Sequence, residues 1–230
     1  MDILSELNSL ANPEKSKILQ GFFKTGKGEY GEGDIFLGIS VPEQRAVAKK
    51  YSHLSISHLQ TLLSSKIHDH RSVALFILTD KYKQSKDKSQ IIQFYLKNIK
   101  HINNWDLVDL SAPKILGDFL LNKPRKILYQ LANSKNIWEK RIAIISTYAF
   151  IKNNELSDTL RISEILLKDK HDLIQKAVGW MLRELGKKDL VVLENFLKQY
   201  HKTMPRTTLR YAIERFPENT RKQYLKGEIK

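Results

Sequence analysis

The residues of this chain best suited to chemistry are Trp105 and Asp109, within the stretch HINNWDLVDL that covers residues 101–110. They are four residues apart, so on a helix they lie on one face, with an aromatic plane beside a carboxylate. In a strongly basic protein such a carboxylate is poorly suited to phosphate, which it would repel. The pair therefore predicts a site for a partner that is positively charged at this point.

Acidic residues at this end of a helix have a plainer interpretation as well. An Asn cap at 103 or 104 would begin a helix, and the helix dipole favours carboxylates in its first turn. We adopt that interpretation for Asp106. Asp109 lies deeper, beside apolar neighbours and in line with the tryptophan, so we take it as the candidate functional residue. Pro113 lies inside the same helix and is predicted to kink it.

A second tryptophan and an arginine extend the candidate site. Trp180 lies off the apolar stripe of its helix, in line with Lys176 and Arg183, and an exposed aromatic among cations can pack on sugars or bases. The alternative is an indole that rests on lysine stems. Arg141 opens its helix, where a guanidinium can grip phosphate. Its alternative is a surface ion pair, for example with Glu139.

The composition limits the classes of protein to which this chain can belong. The chain has 230 residues with 41% hydrophobic content, enough for one core or one repeat array, so we predict a single domain over residues 1–230. It has no cysteine, which excludes disulfides, thiolate metal sites and cysteine nucleophiles. The charged N-terminal stretch and the lack of a long apolar run predict a cytoplasmic protein without membrane contact.

The charge balance points to a polyanionic partner. Thirty-nine Lys and Arg against 25 Asp and Glu leave a formal net charge of +14 and a pI near 9.7. An excess of this size steers a protein toward nucleic acid. A membrane surface is a weaker alternative, because the cations are scattered and form no polybasic block. Plain solubilising charge is the third possibility.

The apolar spacing is helical almost everywhere, and it repeats. The stretches HRSVALFIL, NWDLVDLSA, EKRIAIIST and QKAVGWMLR place Arg71, Asp106, Arg141 and Lys176 in register, each 35 residues after the last. Shorter helices are predicted between them, such as 123–133 and 155–167. Recurring helix pairs predict an all-α, HEAT-like helical-repeat superhelix, or α-solenoid, with a concave basic face. Residues near 71, 105–109, 141 and 176–180 should then converge.

Several of these stretches resemble a known family. NNWDLVD with the following GDFL, IWEKRIAII, IQKAVGWMLRE and the earlier FLGISVPEQR are similar to the AlkD family of bacterial DNA alkylation-repair glycosylases, from about Phe36 to Arg215. Members of that family have HEAT-like repeats that wrap duplex DNA and excise positively charged lesions such as N3-methyladenine and N7-methylguanine. The resemblance implies a catalytic Asp109, sugar-facing Trp105 and Trp180, and a catalytic-site arginine at Arg141.

The remaining expectations follow from this resemblance and from the charge. We expect a monomer that binds double-stranded DNA containing alkylated bases and needs no cofactor or metal. It should be associated with the nucleoid when bound to DNA. A non-catalytic HEAT-repeat scaffold for nucleic acid or an acidic protein is the alternative. The glycine-rich loop 24–34 contains G-x-G-x-x-G, but no strand precedes it, so a dinucleotide site is discounted; a mobile loop is predicted, which either meets DNA or only connects helices. The candidate DNA-backbone contacts are Lys24, Lys27, Arg45, Arg71, Lys176, Arg183, Arg206 and Arg210.

Overall fold

The computed structural model describes residues 2–229, and the regular secondary structure in this range is almost entirely helical. Within that range, extended backbone is paired at one isolated parallel bridge, between Ile35 and Ile67. The all-α prediction is confirmed. Contacts group the chain into two compact units, unit 1 ending at Ser111 and unit 2 beginning at Ala112. A single domain over 1–230 stays a prediction. No helix in the described range is both long and apolar enough to cross a bilayer.

Unit 1 is organised around one almost completely buried helix. Its helices are α1 (Ile3–Ser9), α2 (Pro13–Phe22), α3 (Val41–Lys50), α4 (Ile56–Leu63), α5 (His68–Gln84), α6 (Ser89–Lys97) and α7 (Trp105–Ser111), with a 3-10 turn at Ile99–His101. The first three turns of α5, His68 to Leu78, are buried throughout, and α3, α4 and α7 pack on this helix. A helix without a polar face belongs in the centre of a core, and α5 occupies that position in unit 1.

Unit 2 is organised in the same way around α12. Its helices are α8 (Lys126–Ala132), α9 (Ile137–Ser146), α10 (Tyr148–Lys152), α11 (Ser157–Leu166), α12 (Asp172–Gly186), α13 (Leu190–Tyr200), α14 (Arg206–Ala212) and α15 (Glu218–Lys226). The α12 helix packs on α9, α11, α13 and α14. Gly179 permits the close approach to α14, because a Cβ there would lie 2.5 Å from the Cβ of Tyr211.

The segments of the repeat predicted from the sequence are all helices. The four residues in register fall in α5, α7, α9 and α12, and the shorter helices expected at 123–133 and 155–167 are α8 and α11. The pattern succeeded because each apolar stripe is long enough to specify a helix and the intervening Asn, Ser and Asp residues interrupt it.

The helix that carries Trp105 is interrupted where Pro113 predicted a kink. The α7 helix ends at Ser111, and Pro113–Gly117 forms a π-helical turn in which the Gly117 N–H donates to the carbonyl of Ala112 at 2.9 Å. Proline has no N–H with which to continue an α-helical pattern, and wider turns of this kind are frequent at functional sites.

Candidate active site

Trp105 is held in unit 1 by a series of stacked rings. The Phe23 ring lies parallel to the indole, with centroids 5.1 Å apart and an interplanar angle of 14°. Phe36 stacks on Phe23 at 4.9 Å, and His68 stacks on Phe36 at 4.3 Å. Phe23, Phe36 and His68 are buried, while Trp105 is half-buried. The indole is therefore supported from the core and keeps part of its surface open.

The start of α7 is fixed by a buried polar network. The Trp105 N–H donates to the side-chain oxygen of Asn104 at 2.8 Å, and the Asn104 amide donates to Asp34 at 3.4 Å. Arg71 donates to the other carboxylate oxygen of Asp34 at 2.7 Å and to the carbonyl of Ser65 at 2.9 Å. Each of these side chains has a hydrogen-bond partner, and a buried polar group that left its partner would have no water to replace it. The network therefore holds the start of α7 in one geometry.

A second acid at the start of α5 places the Phe36 segment. The carboxylate of Asp69 accepts the N–H groups of Leu37 at 2.7 Å and Ile39 at 3.1 Å. Gly38 between them has a φ of +84°, and a Cβ there would lie 2.3 Å from a backbone oxygen at the start of α2. Only glycine fits both conditions. The Phe36 ring is thus held against Phe23 by contacts of the backbone that directly follows it.

His68 and Asp106 form a pair that the sequence did not reveal. The His68 Nε2 lies 3.0 Å from an Asp106 carboxylate oxygen, and both residues line a cavity of ≈ 270 Å³ together with Phe23, Phe36 and Ile39. The sequence assigned Asp106 only to the helix dipole, a role that its position in the first turn of α7 still permits. Nothing in the local sequence pairs it with a histidine 38 residues away.

Asp109 lies one turn after Trp105 on α7 and is half-buried. The helical placement predicted for the two residues is confirmed, so the indole and the carboxylate share one side of α7. The catalytic role of either residue stays a prediction. Unit 1 thus supplies a half-open aromatic face and, one helical turn away, a carboxylate.

Trp180 in unit 2 has a surface of mixed charge around it. Its indole N–H donates to Glu184 at 3.3 Å, and its ring centroid lies 6.3 Å from that of Tyr148. Glu184 also accepts from Lys187 at 2.7 and 2.9 Å and lies 3.6 Å from the Nε of Arg183. Trp180 therefore does not lie among cations alone, because Glu184, four residues along α12, pairs with both Arg183 and Lys187.

Arg141 is buried, with 5% of its surface exposed, in the second turn of α9. One of its terminal nitrogens donates to the carbonyl of Leu173, at the start of α12, at 2.7 Å. The sequence placed Arg141 at the opening of its helix with a surface ion pair as the alternative, and the burial corrects that placement. A contact between Arg141 and phosphate stays a prediction.

The candidate DNA-backbone residues divide into two groups. The prediction that Arg71 contacts the DNA backbone is wrong, because Arg71 is 3% exposed and its guanidinium donates to Asp34 and to the carbonyl of Ser65. Arg183 pairs with Glu214, and Lys176 pairs with Asp172 at 2.6 Å. The exposed candidates are Lys24, Lys27, Arg45, Arg206 and Arg210. Of these, Arg45 lies 4.3 Å over the Phe76 ring, and Arg206 donates to the carbonyl of Leu225.

The glycine-rich loop 24–34 folds into hydrogen-bonded turns. The Gly31 N–H donates to the carbonyl of Lys24 at 3.0 Å, and the carboxylates of Glu29 and Glu32 accept backbone N–H groups of the same loop. Its last residue, Asp34, belongs to the buried network beneath Trp105. The loop is therefore more than a connection between helices, while contacts of Lys24 and Lys27 with DNA stay a prediction.

The four residues proposed from the sequence are divided between the two units. Trp105 and Asp109 belong to unit 1, and Arg141 and Trp180 belong to unit 2. Each unit by itself brings some of the expected residues together. In unit 1, Arg71 is linked through Asp34 and Asn104 to Trp105. In unit 2, Arg141 contacts α12, the helix that carries Trp180. The convergence of all four stays a prediction. Among residues 2–229, no three His, Asp or Glu side chains are grouped so as to hold a metal ion.

The fold and the candidate site define a helical-repeat protein with an aromatic face beside a carboxylate. Comparison with known proteins identifies its family. A family model described as DNA alkylation repair enzyme matches residues 3–216. The chain belongs to this family, and DNA is accordingly its substrate. A solved structure from Enterococcus faecalis, titled "Predicted DNA alkylation repair enzyme", has the same fold, with a TM-score of 0.72 and 17% identity over 90% of this chain and 97% of that one. No curated protein matches the sequence.

Proposed function

We propose that the protein is a DNA glycosylase that hydrolyses the N-glycosidic bond of positively charged alkylated purines, N3-methyladenine and N7-methylguanine, in duplex DNA. Membership of the DNA alkylation repair family supports a repair reaction on DNA. The observation that carries the proposal is the pair on α7: an indole supported from the core by Phe23, and Asp109 one turn beyond it.

The chemistry requires one carboxylate. An alkylated purine cation is already a good leaving group, so its departure needs no general acid, in contrast to O-glycoside hydrolysis with its two carboxylates. The bond between C1′ and the purine nitrogen breaks, and its electron pair neutralises the purine ring. Positive charge then develops on the deoxyribose. Water adds to C1′ and loses a proton, which leaves an abasic sugar and a free neutral base.

Asp109 is suited to the two needs of this reaction. Its carboxylate stabilises the oxocarbenium character of the sugar electrostatically, and it orients the attacking water or accepts its proton. The indole faces of Trp105 and Trp180 contact the cationic sugar, each worth about 0.5–2 kcal/mol. Arg141 contacts the flanking phosphate.

Substrate choice in this mechanism follows the charge of the lesion. A site that stabilises a sugar cation acts fastest on a base that leaves without protonation, and the site needs few contacts with the base itself. Cationic lesions should therefore be released, and uncharged lesions should remain in the DNA.

The proposal is tested with the full chain and three duplexes of identical sequence. Two carry a cationic lesion, N7-methylguanine or N3-methyladenine, and the third carries an uncharged lesion such as O6-methylguanine. Release of the free base is measured by chromatography, and binding to the same duplexes is measured by fluorescence anisotropy. We expect release from the first two duplexes only. Binding to all three without release from any would instead identify a non-catalytic scaffold.

A further inference from the structure

His68 contacts the rings that support Trp105 and also contacts α7 itself. Its ring centroid lies 4.3 Å from that of Phe36 and 5.2 Å from that of Phe23. Its Nε2 lies 3.0 Å from a carboxylate oxygen of Asp106, the residue that follows Trp105. The side chain of His68 is 3% exposed and that of Asp106 is 25% exposed. A buried histidine therefore joins the ring stack to the first turn of α7, and the reaction described above gives it no role.

The α7 helix depends on its neighbours for its orientation. It spans seven residues, and the wider turn at Pro113–Gly117 follows it after one residue. Isolated helices shorter than about 12 residues are marginal in water, so a helix of this length is held by packing. Two of its three buried residues are the apolar Leu107 and Val108. Because apolar contacts have no preferred direction, they fix the rotation of α7 about its own axis only loosely.

The hydrogen bond of Asp106 supplies a direction on the half-buried side of α7. Successive residues of an α-helix lie about 100° apart around the axis, which places Asp109 about 40° from Trp105 and about 60° from Asp106 on its other side. The indole is held by its stack on Phe23, and Asp106 is held by His68. Asp109 thus lies between two side chains that are each attached to the core, so the rotation of α7 is set from both sides of this carboxylate.

The chemistry of the pair favours one geometry. A carboxylate can only accept a hydrogen bond, so the Nε2–H of His68 is the donor. Because the histidine is buried, breaking the bond would leave its N–H without a water to replace Asp106, which costs free energy. His68 is the first residue of α5, whose first three turns are buried throughout. Asp106 is therefore attached to a point that does not move with the surface.

We propose that His68 and Asp106 are positioning residues for Asp109. Their hydrogen bond holds α7 at the rotation that presents the Asp109 carboxylate and the Trp105 indole to the damaged sugar, and neither residue of the pair takes part in bond breaking. The inference rests on the proposed function, because it takes Asp109 as the residue that stabilises the sugar cation. A displacement of about 1 Å can cost about 100-fold in rate, so loss of the pair should slow base release strongly.

The test compares variants that remove this hydrogen bond with one that keeps it. His68→Phe retains a ring to stack on Phe36 but has no N–H to donate, and Asp106→Ala removes the acceptor. Asp106→Asn keeps an acceptor oxygen at the same position. The matched control is Glu6→Ala on α1 of the same unit, which removes a carboxylate that is 16% exposed and pairs with Lys50 at 2.6 Å.

The first measurements are the single-turnover release of N7-methylguanine from duplex DNA and the affinity for that duplex by anisotropy. His68→Phe and Asp106→Ala should each release the base about 10- to 100-fold more slowly at nearly the wild-type affinity. Asp106→Asn and Glu6→Ala should release it at the wild-type rate. The double variant of His68→Phe with Asp106→Ala should be no slower than the slower single variant, because both substitutions remove the same bond.

A further measurement reports on α7 without base release. The chain has three tryptophans, so in a background of Trp138→Phe and Trp180→Phe the emission comes from Trp105. Quenching of this emission by acrylamide measures how far the indole is exposed. His68→Phe and Asp106→Ala should change the quenching relative to the background protein, whereas Asp106→Asn should not.

Wild-type release rates in both His68→Phe and Asp106→Ala overturn the inference, and so does an Asp106→Asn rate as low as that of Asp106→Ala. If the wild-type protein releases no base, the glycosylase proposal fails by itself, and the quenching tests the pair. Equal quenching in all variants then overturns the inference, and a change that Asp106→Asn does not show supports the pair as the contact that holds α7. The two failures are therefore distinguishable.

Discussion

The two tryptophans of the candidate site are supported in opposite ways. Trp105 in unit 1 lies on a buried stack of rings, and the first N–H of its helix is held by a network that ends in a buried ion pair. Trp180 in unit 2 has its N–H bonded to Glu184, whose other partners are side chains at the surface. The first arrangement is fixed by the core, whereas the second depends on Glu184, which is 13% exposed and pairs with the 45% exposed Lys187.

A site that binds a large charged substrate needs residues that are already in position and residues that can adjust to the substrate. A ring packed against the core keeps its place before DNA arrives, which reduces the cost of binding. The acid bonded to the second ring has a lysine partner that is 45% exposed, and that lysine can exchange its partner for phosphate, because a pair with an exposed member is weak in water. We infer that Trp105 keeps its position without DNA, and that the partners of Trp180 in unit 2 can change when DNA binds.

The largest effect should follow from breaking the network beneath Trp105. Arg71→Ala leaves the Asp34 carboxylate buried, with a side-chain exposure of 5%, and without its cation. Removal of one partner from a buried pair costs about 3–5 kcal/mol. The free energy of unfolding, measured by urea denaturation, should fall by that amount. Lys176→Ala, which breaks a pair exposed by 40% and 58%, is the control and should change stability little. Similar losses in both variants would contradict the comparison.

An intermediate effect is expected where α12 approaches α14. Gly179→Ala puts a Cβ 2.5 Å from the Cβ of Tyr211 and 2.6 Å from the carbonyl oxygen of Thr208, next to Trp180. Because two helices must move apart, stability should fall by about 1–3 kcal/mol. Gly21→Ala on α2, whose Cβ would meet nothing within 4 Å, is the matched control and should cause no loss. If Gly179→Ala is as stable as wild type, the two helices are packed less closely than described.

The smallest effect is expected among the charges near Trp180. Lys187→Met removes a partner of Glu184 whose side chain is 45% exposed, and the free energy of unfolding should change by no more than about 1 kcal/mol. The difference between variant and wild type should shrink further in high salt, because exposed pairs are screened. Denaturation in urea at low and at high salt measures both. A large loss that persists in high salt would show that Trp180 is held as firmly as Trp105.

The sequence predicted the parts of the molecule that depend on local spacing. The positions of α5, α7, α9 and α12 followed from a 35-residue register, and the shared face of Trp105 and Asp109 followed from a separation of four. Both rest on helical periodicity, which neighbouring residues determine by themselves. The family was likewise recognised from stretches such as NNWDLVD, and the family model confirms it.

The sequence missed the parts that depend on distant partners. The 35-residue register predicts Arg71 on the concave basic face as a phosphate contact, but its partner Asp34 lies 37 residues away in the chain and keeps it buried. Phe23 and Phe36 flank the glycine-rich loop, and their stack beneath Trp105 depends on Asp69 of α5, which accepts the N–H of Leu37 next to Phe36. Contacts of this kind are set by tertiary packing, which no local pattern records.

The most direct test of the account is the single-turnover rate at which N7-methylguanine is released from duplex DNA by Asp109→Asn. The control is Asp80→Asn, which removes an exposed carboxylate on α5 in the same unit. We predict that Asp109→Asn binds the duplex as wild type does and releases the base at least about 100-fold more slowly, because the charge that stabilises the sugar cation is gone. Release by Asp109→Asn at the rate of wild type and Asp80→Asn would contradict the central claim.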